Sequence, residues 1–176
     1  MDFARVYALV AGFLGARGSR VAVVGGLGLH GHGVTRATVD LDLVTEAEAQ
    51  ESLVGFLEAQ GYETLYRSAG YSNHLHPDAE LGRLDLVYVD AATAGSLFAG
   101  CLPRLQLGSL AALVPRAEHL VAMKVQAIKN DPSRELQDLA DVQALLRLPG
   151  VDAAEVRGYF ERARLLDRYD AIRRSL

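Results

Sequence analysis

Cysteine is almost absent: Cys101 stands alone among 176 residues, so no internal disulfide can form and nothing points to an oxidising compartment. No apolar run approaches membrane-spanning length, and no low-complexity tract appears. The apolar opening "VYALVAGFLGA" lacks the positive start of a secretion signal, because acidic Asp2 precedes it. Phe3, Val6, Tyr7, Val10, Phe13 and Leu14 recur instead at three- and four-residue steps and predict an amphipathic first helix. A soluble, cytoplasmic protein is expected. Positive charge is also lacking: the net charge of −4 argues against a nucleic-acid coat protein, though not against local basic patches. Arginine supplies 16 of the 18 basic residues, so the placement of the only lysines, Lys124 and Lys129, is informative.

What remains is an ordinary globular composition, half apolar and 23% charged, in a length that suits one domain or a domain with a small helical appendage. Residues 19–25 and 36–45 read as strands, with room between them for two helical turns at most. A helix is expected over 46–60, stopped by Gly61. The runs "YETLYRS", "SNHLHP" and "GRLDLVYVD" read as three more strands. From about residue 91 the pattern predicts mainly helix, broken near Pro103, Pro115, Pro132 and Pro149. The expected fold class is α+β (α/β), with a core at 1–100 and a helical segment at 101–176.

Within "VVGGLGLHGHGVTRATVDLDLV", residues 23–44, two signatures compete. Gly26, Gly28 and Gly31 spell the G-x-G-x-x-G of a dinucleotide-binding turn, and Glu46 stands where a ribose-binding acid would. Such a turn needs a full helix before the next strand, and only about six residues separate Gly31 from that strand. The other signature is acidic. On a strand, Arg36, Thr38, Asp40 and Asp42 share one face, and Val39, Leu41 and Leu43 share the other. Adjacent like charges repel and are relieved by a shared cation, although a solvated edge strand gives the same pattern. Asp85 adds a third carboxylate on an apolar strand. Three hard oxygen donors suit Mg²⁺, with Mn²⁺ as a substitute, and substrate phosphates complete the shell. The glycines at 25 and 26 form a turn on which phosphates can sit.

Gly25-Gly26 followed by Arg36-x-Thr38-x-Asp40-Leu41-Asp42 resembles the core of the DNA polymerase beta-like nucleotidyltransferase superfamily. The resemblance runs over about residues 21–146 and is nearest to the AbiEii-type toxins. It implies a nucleotidyltransferase-like mixed sheet flanked by helices, and an enzyme that moves an NMP from an NTP to an acceptor hydroxyl. It further implies that Asp40, Asp42 and Asp85 hold Mg²⁺, with Asp85 binding metal or helping to deprotonate the acceptor. Gly25 and Gly26 would contact the triphosphate, and Arg36 and Thr38 would support the nucleotide or the aspartates. Many members carry Gly-Ser in place of Gly25-Gly26. The toxin family implies tRNA as acceptor and a cognate antitoxin as partner. Antibiotic and protein acceptors stay open, as does a non-catalytic nucleotide-binding or partner-binding module.

The family pattern continues with a lysine helix and a D-x-x-D helix, which implies roles for Lys124, Asp138 and Asp141 at the nucleotide. Helical spacing puts Lys124 on a stripe with Leu120, Ala127 and Ile128, facing inward. An inward ammonium needs a partner, unless its stem snorkels out to water. Lys129, at the helix end, is expected to be solvated. In the next helix Leu136, Leu139, Ala140 and Leu146 form the predicted apolar stripe, with Asp138 and Asp141 beside it, where solvated charges would look the same. Four histidines form two H-x-H pairs, His30/His32 and His74/His76. No third ligand supports zinc, so they are read as polar residues near the site mouth. The six arginines of the last twenty residues suit an RNA acceptor, or a solvated helix with Tyr159, Phe160, Leu165 and Leu166 inward.

Overall fold

A computed structural model describes residues 1–176. Its chain order is α1 (Phe3–Gly15), β1 (Val21–Val23), α2 (Gly25–Gly31), β2 (Asp40–Glu46), α3 (Gln50–Ala59), β3 (Glu63–Ser68), β4 (Tyr71–Leu75), β5 (Arg83–Val89), α4 (Ala91–Ala99), β6 (Leu102–Leu107), β7 (Leu110–Val114), α5 (Ala117–Asn130), α6 (Glu135–Leu146), α7 (Ala153–Ala163) and α8 (Leu166–Arg174). The contacts divide the chain into two compact units. One comprises residues 1–31 and 35–115, the other 32–34 and 116–176.

The first unit is built on a five-stranded mixed sheet of order β1-β2-β5-β4-β3. Its centre is the parallel pair β2–β5, and the remaining pairs are antiparallel. Period-two alternation on the paired strands separates two faces. Leu41, Leu43, Leu84, Leu86 and Tyr88 point into the core and are buried. Asp40, Asp42 and Asp85 lie on the other face, with Asp42 directly opposite Asp85 in the ladder. α1 contributes Val6, Tyr7, Val10 and Leu14 to the core, as its periodicity predicts, and α3 contributes Leu53, Val54 and Leu57.

Residues 101–115 differ from the mainly helical pattern expected of them. They form the β6–β7 hairpin and belong to the first unit. The strand predicted over 36–45 begins only at Asp40. Val39, expected on the apolar face with Leu41 and Leu43, is instead 82% exposed.

The second unit packs α5 against α6 and α7, and α8 against α6 and α7. Phe160 is fully buried there, while Tyr159, Leu165 and Leu166 are half-buried. No helix in the chain is long and apolar enough to cross a membrane.

Candidate active site

A dinucleotide-binding turn is excluded by topology. β1 and β2 are antiparallel, whereas the dinucleotide motif needs a parallel crossover through a full helix. α2 has only seven residues. Glu46 binds Arg20 instead of presenting a free acid: the Arg20 Nε and backbone N–H donate to its two oxygens at 2.7 and 2.8 Å.

The three acids predicted from the sequence meet. Asp40, Asp42 and Asp85 each offer a carboxylate oxygen, and the three atoms lie within 4.8 Å of one another. Asp85 is buried, and Arg83 Nε donates to its Oδ1 at 3.2 Å. Burial raises the Asp85 carboxyl above its ordinary range, and Asp40 adds to this, while Arg83 and the Tyr71 hydroxyl pull it down. Tyr71 is itself pushed up to about 12, chiefly by burial and then by the Asp85 charge. Three carboxylate oxygens without histidine or cysteine form a hard donor set, which fits a divalent cation of the Mg²⁺ type rather than zinc.

Gly25 and Gly26 stand beside these acids, and the space around them explains why both are bare. Gly25 has φ +58°, and a β-carbon there would lie 1.8 Å from Asp42 Oδ2. A β-carbon on Gly26 would lie 2.7 Å from Thr38 Cβ and 3.0 Å from Arg36 Nη2. Arg36 and Thr38 therefore cover the turn. They reach it through an irregular segment before β2, and not by the strand alternation expected of them. The Thr38 hydroxyl donates to Asp40 Oδ1 at 2.7 Å.

In the second unit Lys124 lies on the buried face of α5, as predicted. It does not snorkel to water: its Nζ sits 2.7 Å from Asp138 Oδ1 and 2.7 Å from Asp141 Oδ2. The stripe predicted for α6 is rotated. Asp138, Asp141, Val142 and Leu145 are the buried residues, and Leu136 is 87% exposed. The buried ammonium draws both carboxylates inward, because an unpaired charge at that depth is costly. Lys129 is exposed at the helix end.

His74 and His76 differ from their predicted place at the site mouth. His74 is fully buried, with Nδ1 3.1 Å from the Thr64 hydroxyl and Nε2 2.8 Å from the Ser72 hydroxyl. His76 lies beyond β4, and its Nδ1 accepts from the Asp78 N–H. Arg83 and Tyr71 were not singled out from the sequence. The R-x-D alternation of β5 could have pointed to Arg83, whereas only the β4–β5 register brings Tyr71 near.

No protein-family model matches the chain, and no curated protein matches it. Solved structures do. The antibiotic-resistance factor ANT(2'')-Ia superposes with a TM-score of 0.68 at 16% identity, over 99% of this chain and 98% of that one. The chain has the nucleotidyltransferase fold. An antigenic nucleotidyltransferase-like protein from Paracoccidioides brasiliensis matches at TM-score 0.55 and 15% identity, over 98% of this chain and 92% of its own. The lincosamide antibiotic adenylyltransferase LnuA, solved with lincomycin, matches at 0.51 and 12%, over 81% and 96%.

Proposed function

We propose that the protein is a Mg²⁺-dependent nucleotidyltransferase that moves an NMP from an NTP to an acceptor hydroxyl, releasing pyrophosphate. The observation that carries this is the convergence of Asp40, Asp42 and Asp85 within 4.8 Å, beside a glycine turn with no room for side chains, on a nucleotidyltransferase fold.

In this assignment Asp40, Asp42 and Asp85 hold the cation, with Mn²⁺ as a substitute. A bound divalent ion supplies charge neutralisation at the phosphates and orients them. Asp85 also suits proton removal from the acceptor, because its burial raises its carboxyl above the ordinary range. The Gly25-Gly26 turn lets the triphosphate approach the backbone closely, and Arg36 supplies a guanidinium above it. Lys124, with Asp138 and Asp141, is assigned a role at the nucleotide's phosphates. An ammonium has three donors, and the two carboxylates engage only two of them. Catalysis on this account comes from positioning and electrostatics.

Two acceptor classes lead. ANT(2'')-Ia has been solved with adenylyl-2''-tobramycin and LnuA with lincomycin, which favours a hydroxyl-bearing small molecule here. The AbiEii-like motif favours tRNA. Pure protein is incubated with each NTP radiolabelled at the α-phosphate, Mg²⁺, and in turn an aminoglycoside, a lincosamide and total tRNA. Label transferred by the wild type and lost in Asp40→Asn/Asp42→Asn establishes the activity and names the acceptor class. Metal-dependent NTP binding without transfer to any acceptor marks a binding module. Neither binding nor transfer overturns the proposal.

A further inference from the structure

We infer that His30 is a positioning residue for nucleotide binding. From the far end of α2 it pins the segment that carries Arg36 and Thr38 over the glycine turn. This role rests on the nucleotidyltransferase assignment and extends it to a residue outside the motif.

His30 Nε2 lies 2.7 Å from the carbonyl oxygen of Arg36 and 3.2 Å from its backbone nitrogen. A single ring nitrogen thus meets both polar groups of one peptide residue. With hydrogen on Nε2 the ring donates to the carbonyl; in the other tautomer it accepts from the N–H. Either tautomer holds Arg36 in place. Residues 35–39 belong to no helix or strand, so no ladder of backbone bonds secures them. The neighbouring contacts show what the pin controls. Arg36 Nη2 stands 3.0 Å, and Thr38 Oγ1 2.8 Å, from the point a Gly26 β-carbon would take. Thr38 has an anchor of its own, donating to Asp40 Oδ1 at 2.7 Å, so that contact does not depend on the pin.

The short helix therefore serves the site at both ends. Gly25 and Gly26 open it as the bare turn, and His30 sits one residue before Gly31 closes it. Loss of the imidazole leaves the turn and the three carboxylates in place but frees the backbone that aims the Arg36 guanidinium. The expected signature is selective: weaker grip on the nucleotide, with cation binding retained.

The test measures Mn²⁺-dependent binding of ATP, GTP, CTP and UTP by calorimetry, and Mn²⁺ alone by electron paramagnetic resonance, on the full chain. His30→Ala is expected to weaken NTP binding about tenfold, the scale of one or two lost hydrogen bonds. Mn²⁺ affinity alone should stay within about twofold. His30→Gln, whose amide can donate or accept, should recover most of the loss. In an Arg36→Ala background, His30→Ala should cost about threefold or less, because the two act as one unit. Circular dichroism checks each fold; if His30→Ala does not fold, His30→Leu, which keeps bulk, replaces it. NTP binding by wild type and His30→Ala alike overturns the role, as do additive losses in the double variant or an equal loss of Mn²⁺ binding. A wild type that binds no NTP overturns the nucleotidyltransferase assignment itself, and this role with it.

Discussion

Asp42 Oδ2 lies 1.8 Å from the point where a β-carbon on Gly25 would stand, so the carboxylate fills the room the glycine leaves. Backbone and carboxylate thereby share one small volume. The positive φ of Gly25 adds a second reason for glycine, since L-residues rarely adopt that conformation.

Gly25→Ala should therefore lose divalent-ion binding along with stability. The left-handed backbone alone costs about 1–2 kcal/mol, and the displaced Asp42 carboxylate adds to it. Mn²⁺ titration together with urea unfolding measures both. Unchanged Mn²⁺ affinity would show that the carboxylate moves aside freely.

Lys124→Met should be among the more destabilising single substitutions in the second unit. It strands two buried carboxylates and is expected to cost about 3–5 kcal/mol. Asp138→Asn leaves the Lys124–Asp141 pair and should cost clearly less. Urea midpoints of the two variants, compared with the wild type, check the order.

Asp85 gives the metal-free protein a pH dependence of known sign. Its carboxyl is raised above the ordinary 3.8 by burial, so its stabilising contribution is complete below that value. It is lost as pH rises through the raised value. Asp85→Asn removes this loss, so its stability relative to the wild type should improve as pH increases from 4 to 7, while nucleotidyl transfer disappears. Thermal melts across that range, in chelator, follow the difference.

His74 has the opposite dependence. Burial lowers its pKa from 6.5, against the pull of Glu58 and with help from Arg67. A depressed histidine contributes stability that is present above pH 6.5 and lost as pH falls through the lowered value. His74→Leu should flatten that acid-side slope. It should also cost about 1–3 kcal/mol at pH 8, because the Ser72 and Thr64 hydroxyls lose their partner. Denaturant titrations at a series of pH values separate the two effects.

Sequence pattern was informative where one local rule governs a residue. Alternation placed Asp40 and Asp42 on one strand face, and helical spacing placed Lys124 inward. It misled where a partner from elsewhere decides. The buried Lys124 turns Asp138 and Asp141 inward and leaves Leu136 in water, against the apolar stripe. Thr38 does reach Asp40, and Arg36 reaches the glycine turn, but through an irregular segment that no period describes. The β6–β7 hairpin is hidden in the sequence because Pro103 and the alanines at 111 and 112 blur its alternation. The H-x-H pattern reads as a polar residue near the site mouth, whereas His74 is buried because hydroxyls from Ser72, two residues back, and from Thr64 on the adjoining strand satisfy its ring.

The parallel pairing of β2 with β5 also ties the cation site to the course of folding. Parallel strands cannot be joined by a tight turn, and here α3, β3 and β4 lie between the two partners in the chain. Asp42 and Asp85 meet only once that long loop has closed, a slow, nonlocal step that also brings like charges together. The unfolded chain has no such cluster, so on the proposed assignment a divalent ion would recognise the assembled sheet alone. By mass action such an ion would protect the fold by about 2.7 kcal/mol at a free concentration of about a hundred times its Kd. Resistance of the sheet to unfolding would then become a function of the divalent ion around it.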